Sequence, residues 1–366
     1  FEVVILYVTR PSPSHNGGSV SANAAPGTMT YTEFLNSTGY QLLSAENTAT
    51  ANYLSTVNNV RILNTTVGMI GNTEASRIEI ELLSTKTSSK VSLKMVTAGV
   101  ETAQPGFTFA NGYAYVPRDT ALVRPELKNG AAALARLAKS QASDVRMTQA
   151  EAGADFTQYT PDAILGGGAI DPLGKVTDNA GASDLATLQG LTFSEVTTSP
   201  NATEPTWTDY KFTATLDNGG LLPATDMVIV STYDQNHVFQ KQKLSMNVLG
   251  MVLESTTTIE ILDQLTIAPV PAANYVDWSS LVAMGKRISA EKSLASKAKA
   301  LASKAAALAK SSKKTLSATQ LAAAAKALKY SVTTVKNGVK LTAKYQGQAG
   351  SVCVTAVKGK PVTGNC

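Results

Sequence analysis

The sequence predicts an α+β fold. An antiparallel sheet with an apolar face to cover is followed by a helical spacer and a small disulfide-closed α+β module. Three observations carry this. Residues 207–277 hold four runs that read as strands, three of them in period-two alternation, with turn residues between them. Residues 294–314 repeat every seven residues, each repeat headed by a leucine. The two cysteines, Cys353 and Cys366, both lie in the last fourteen residues.

In the first of these stretches, Lys211–Leu216 places Phe212, Ala214 and Leu216 on one face. Met227–Tyr233 is apolar and β-branched, with Val228 and Val230 at its centre. After turn residues Asp234–His237, Gln242–Val248 puts Leu244, Met246 and Val248 on one face. Glu254–Asp263 sets Ile259 and Ile261 opposite Glu260. Short connections between such runs favour antiparallel pairing with one wet face. The two prolines of Ala268–Ala273 end the sheet, because proline cannot donate to a ladder.

From the start, Phe1–Val8 is apolar and Arg10 follows. Eight residues cannot span a bilayer, which needs about 20. The segment reads as the interfacial end of a membrane anchor (1–10), the alternative being an edge strand. Residues 11–30 are a linker rich in Pro, Ser, Gly and Asn. Tyr31–Leu54 reads as a helix, with Phe34, Leu35, Leu42, Ala45, Ala49 and Tyr53 as its apolar stripe. Arg61–Met69, Glu74–Leu83 and Lys90–Ala98 read as strands, with Ile78, Ile80 and Leu82 facing away from Arg77, Glu79 and Glu81. Gly106–Pro117 is a hairpin about Asn111-Gly112, a strong turn signal. Helices are expected over Gly130–Ser140, from Tyr159 to Ile164 and after Ser183, then a strand over Phe193–Thr198.

Past Asp277 the composition changes. Leu294, Leu301 and Leu308 form one stripe on a helix of good formers, about 30 Å long. One leucine per heptad is a thin seam, so charge is expected to supply much of this helix's attachment. Ser317-Ala-Thr-Gln320 is a capping box for a second helix. Val332–Val335, Val339–Tyr345 and Val352–Val357 complete a small meander. The expected domains are therefore the anchor, the linker, a β-rich body over 31–278, an Ala/Lys-rich helix over 279–316 and a disulfide module over 317–366.

The 366 residues carry a net charge of +5, unevenly placed. Residues 286–366 hold sixteen Lys or Arg and one acid, Glu291, a net +15, leaving −10 for the rest. A basic tail of this kind suits docking on the acidic body of the same chain, on a second copy or another protein partner, or on an anionic envelope surface. Nucleic acid fits less well, since the tail is lysine-only after Arg287 and holds two aromatics, Tyr330 and Tyr345. Two cysteines so close read as one disulfide, and hence an oxidising compartment, with two free thiols as the alternative.

No catalytic constellation stands out. His15 and His237 lack a second His or Cys at ligand spacing, so no metal or cofactor is expected. Gly168–Val176 departs from a P-loop by one extra residue, by Pro172 and by the lack of Ser or Thr after Lys175. Asp119, Asp155, Asp162 and Asp171 are scattered and read as caps and turns. Asn36, Asn64 and Asn201 begin glycosylation triplets of a kind common by chance in a Thr-rich chain.

The order of elements, with Tyr113-Ala-Tyr-Val-Pro117, Trp207–Phe212, Val230–Asp234, Lys243–Met246, Thr258–Ile261 and Ile267–Pro271, resembles the actinobacterial LppX/LprG-like envelope lipoproteins, themselves similar in fold to the LolA carriers. That resemblance implies a curved antiparallel half-barrel sheet with helices on its concave side and lipid held between them. The family carries a lipidated N-terminal cysteine, and no cysteine precedes Cys353 in this sequence, so acyl anchoring is not among the expectations. From about Ser317 the chain also looks weakly like the globular end of type IV pilin-like proteins. The expectation is a non-enzymatic, extracytoplasmic protein that binds lipid or another apolar ligand. Its pocket would be lined by Phe212, Leu216, Val228, Val230, Leu244, Met246, Val248, Ile259 and Ile261. The alternative is a structural or accessory subunit of an envelope assembly, with the sheet as scaffold only.

Overall fold

The computed structural model describes residues 27–166, 190–216, 224–248 and 250–366. The expected anchor, the linker to residue 26, His15, the run Gly168–Val176 with Asp171, and most of the helix after Ser183 lie outside the described residues. No described helix is long and apolar enough to cross a membrane. The chain divides into two compact units: residues 1–115 with 148–269, and residues 116–147 with 270–366. Residues 116–147, placed in the body by the sequence reading, thus pack with the C-terminal segment.

The first unit opens with strand β1 (Met29–Thr30) and helices α1 (Tyr31–Asn36) and α2 (Thr38–Thr56). The single helix expected from Tyr31 is split by Ser37. Its extended backbone lets its N–H close α1 on the Phe34 carbonyl, and its hydroxyl accepts the Tyr40 N–H at 3.2 Å to start α2. Thr30 and Glu33 cap α1 reciprocally, and the Thr30 N–H holds the Glu33 carboxyl below its usual range.

Four long strands follow: β2 (Asn59–Ile70), β3 (Thr73–Thr85), β4 (Ser88–Thr97) and β5 (Val100–Ala110). The turn Asn111-Gly112, with both residues at positive φ, leads into β6 (Tyr113–Pro117). The second unit then takes α3 (Arg118–Leu122), α4 (Gly130–Arg136) and β7 (Asp144–Thr148). Back in the first unit come the short helices α5 (Gln149–Ala152), α6 (Ala154–Thr157) and α7 (Pro161–Leu165). Strands β8 (Leu191–Phe193), β9 (Thr197–Pro200), β10 (Thr208–Leu216), β11 (Thr225–Tyr233), β12 (Phe239–Val248) and β13 (Met251–Ile261) complete it.

These strands form one curved, unclosed sheet in the order β1-β8-β10-β11-β12-β13-β2-β3-β4-β5-β6, with β9 also on β10. Every pair is antiparallel. The chain's two halves meet where β13 pairs with β2, from Met251 opposite Ile70 to Ile261 opposite Val60. One face carries Phe212, Ile229, Leu244, Ile62, Leu82 and Val91, and α1, α2 and α7 cover it with Phe34, Tyr40, Leu43, Leu54 and Ile164. The rings of Phe34 and Phe193 stack at 4.5 Å. The other face is polar, with Arg61 bridging Glu81 at 2.7 Å and Glu260 at 3.3 Å.

The second unit continues with β14 (Tyr275–Asp277), α8 (Trp278–Ser293), α9 (Ala295–Ser311) and α10 (Ala318–Ala327). Strands β15 (Thr333–Val335), β16 (Gly338–Tyr345), β17 (Gln348–Val357) and β18 (Lys360–Asn365) form a four-stranded antiparallel sheet. β14 pairs with β7 in parallel. The expected helical stretch is α9, and its stripe of Leu294, Leu301, Ala298, Ala305 and Ala309 is buried with Leu321, Val339, Leu341 and Val354. Leu308 packs beside them. α8 crosses β17 closely enough that a Cβ on Gly350 would lie 2.6 Å from the Arg287 carbonyl, so only glycine fits. Ser317 and Gln320 form the expected capping box. Cys353 and Cys366 are joined, with Cα atoms 5.1 Å apart, which rules out two free thiols.

Candidate ligand-binding face

The covered face of the first unit's sheet holds most of the residues expected to line a pocket. Strand alternation sends Tyr210, Phe212, Ala214 and Leu216 of β10 inward. Phe212 pairs with Ile229, and Ile229 with Leu244. Met246 pairs with Met227. Phe212, Leu244 and Met246 are buried in the apolar cluster, and Leu216, Val248 and Ile259 pack at its margin.

Three expected lining residues stay out of the cluster. Val228 and Val230 sit on the opposite face, because β11 buries Met227, Ile229, Ser231 and Tyr233. An unbroken apolar run carries no alternation to choose its inner face, so Met227 and Ile229 were missed. Ile261 has the inward parity, but at the end of β13 it stays 40% exposed.

A polar row crosses this apolar face. Ser231 pairs with Gln242, Gln242 with Thr257, and Thr257 with Asn64, on four neighbouring strands. All four are buried. Gln242 Nε2 donates to Ser231 Oγ at 2.9 Å, and Asn64 Nδ2 donates to Thr257 Oγ1 at 2.8 Å and Ser255 Oγ at 3.0 Å. Thr66 Oγ1 donates to Ser255 Oγ at 3.1 Å. Buried polar groups are tolerated when they satisfy one another in this way. The signal was in the sequence: Asn64 and Thr66 share parity with Val60 and Ile62. Beyond the row the inner face continues over β3 and β4 as Ile78, Leu93 and Met95, all half-buried.

At the other end of the face, α2 is tied down by ionisable groups. The Glu46 carboxylate is buried and accepts the Tyr210 hydroxyl at 2.7 Å. The His237 ring contacts the same carboxylate through Nδ1 at 2.9 and 3.0 Å, although most of the ring is exposed. Thr50 Oγ1 donates to the His237 carbonyl and accepts the Phe239 N–H at 2.9 Å. Burial first, then the bond to Glu46, raises the Tyr210 phenol well above its ordinary value. Asp119 and Asp162 lie in the first turns of α3 and α7, where Pro117 and Thr160 hold the cap positions instead. Among the described residues no three His, Cys, Asp or Glu side chains are grouped to hold a metal ion.

No protein-family profile matches the chain, and no curated protein does. Among solved structures it is similar to a DUF1329 family protein from Desulfovibrio piger, at 8% identity over 61% of this chain and 94% of that one, with a TM-score of 0.17. It is also similar to an N-terminal dehydratase from the difficidin assembly line, at 11% identity over 68% and 89% of the two chains, with a TM-score of 0.14.

Proposed function

We propose that the first unit is a non-enzymatic binding module that holds a lipid or another apolar ligand against the inner face of its curved sheet. One observation carries the reading. Past the polar row, Ile78, Leu93 and Met95 extend the apolar face as half-buried side chains beyond the cluster that α1 and α2 seal. Apolar side chains that continue a face in this way suit an apolar guest, worth about 25 cal/mol per Å² of surface removed from water. The sealed half, with Phe34 wedged among Tyr40, Phe193 and Phe212, serves as scaffold. The resemblance to LppX/LprG-like lipoproteins belongs to this reading. So does an extracytoplasmic, envelope address, which the Cys353–Cys366 disulfide favours. Further parts are membrane attachment through residues 1–10 and a protein partner or second copy on the basic C-terminal segment.

Native mass spectrometry of gently purified protein tests it. The expected spectrum holds a lipid adduct, and Leu93→Trp, which fills the half-buried part of the face, lowers adduct occupancy severalfold while the far-ultraviolet spectrum is kept. A spectrum without adduct, or occupancy unchanged in the folded variant, overturns the reading in favour of a scaffold subunit.

A further inference from the structure

The second unit carries an unbalanced charge. Of residues 286–366 the one acid, Glu291, is buried and paired with Arg136 and Arg287, so it offsets those arginines and none of the lysines. Five exposed lysines meet at one corner. Lys358 and Lys360 flank the turn between β17 and β18, where Lys358 and Gly359 both have positive φ, so the hairpin is tight. A Cβ on Gly359 would lie 3.1 Å from the Thr315 methyl, which sets Lys313 and Lys314 alongside. The Ala356 N–H donates to the Asn337 carbonyl at 2.8 Å, which brings up the turn bearing Lys336. Val357 pairs with Lys360 and Val362 with Thr355, so both valines share the sheet face turned away from α9 and α10. They are 48% and 46% exposed.

We propose that this corner is a docking surface for an anionic lipid bilayer. Two valines standing out among five lysines match a surface that offers negative headgroups and, just below them, hydrocarbon. The lysines are strongly hydrated point charges with no fixed bonding geometry, suited to a diffuse anionic surface. Nucleic acid is disfavoured, because a single strand seeks exposed rings to stack on. Tyr330 and Tyr345 are half-buried, and Lys297 lies 5.9 Å over the Tyr330 ring. Charge supplies attraction that salt weakens, and the valines supply a part that salt leaves in place.

Flotation of the full chain with vesicles tests this. Binding is expected with phosphatidylcholine vesicles containing one-third phosphatidylglycerol, and not with pure phosphatidylcholine. The double variant K358Q/K360Q should lower the partition coefficient roughly thirtyfold, from about fivefold per lysine near a charged surface. A Val362→Trp reporter should shift its emission to the blue on the mixed vesicles. Equal flotation of K358Q/K360Q places the contact elsewhere and overturns the proposal. So does an unshifted reporter, or binding to a DNA duplex as tight as binding to the vesicles, either of which leaves a general polyanion surface only.

Discussion

Tyr210 is where chemistry and packing meet most closely. Its hydroxyl is buried, bonded to Glu46, and its proton is held more tightly than in an unfolded chain. A group whose acidity is weakened by folding stabilises the fold in full below its ordinary value, here 10.0, and that contribution is lost as pH rises above it. Denaturant midpoints measured on either side of that pH should therefore fall steeply for the natural chain. Tyr210→Phe should flatten the fall, and at neutral pH should cost about 1.5–3 kcal/mol for a bond to a charged acceptor. An equally steep alkaline loss in the variant would show that another group governs it. None of this was legible beforehand. Glu46 sits 164 residues before Tyr210 and 191 before His237, so only the packing of α2 on β10 and the β11–β12 turn brings them together.

At the scale of elements, most of the strands were legible in the sequence, but their inward faces only where polar and apolar residues alternate. Where polar and apolar residues alternate, as in Gln242–Val248, the inward set could be read directly. In Met227–Tyr233, which opens with four apolar residues in a row, the face was settled by its partners: Phe212 on β10 and Leu244 on β12 both oppose Ile229. β18 escaped notice because Lys360–Asn365 holds a proline and a glycine and has little apolar pattern. A proline is tolerated there because β18 is an edge strand. The leucine heptads of α9 looked too sparse to hold by burial, yet alanines fill the gaps and the stripe packs on α10 and the small sheet. Leu301 is fully buried, so Leu301→Ala should cost about 2–5 kcal/mol and speed hydrogen exchange across α9 and α10. A variant as stable as the parent, with high salt alone loosening the helix, would mean that charge holds it after all.

The whole molecule is two units, and the second is assembled from distant stretches of chain. Residues 116–147 pack with α8: Asn129 Nδ2 donates to the Gly285 carbonyl at 3.2 Å and to Ser289 Oγ at 2.8 Å, Lys292 Nζ donates to Asn129 Oδ1 at 2.6 Å, and Arg136 pairs with Glu291. A fragment cut at the boundary the sequence suggested, after residue 278, would leave α4 without this partner. It should aggregate or bind a hydrophobic dye, whereas the full chain should not; a clean, monomeric fragment would refute this dependence. The same arrangement imposes an order in time. On the ribosome, Leu127, Ala133 and Leu134 emerge long before the helix that covers them, since the other unit's second half is translated in between. At about 5–20 residues per second the wait is on the order of ten seconds, far longer than a helix takes to form. The nascent chain must carry an unfinished apolar surface for that interval. A holdase, or a slow codon run placed before residue 148 rather than after it, would therefore change the yield of folded protein without changing a single contact in it.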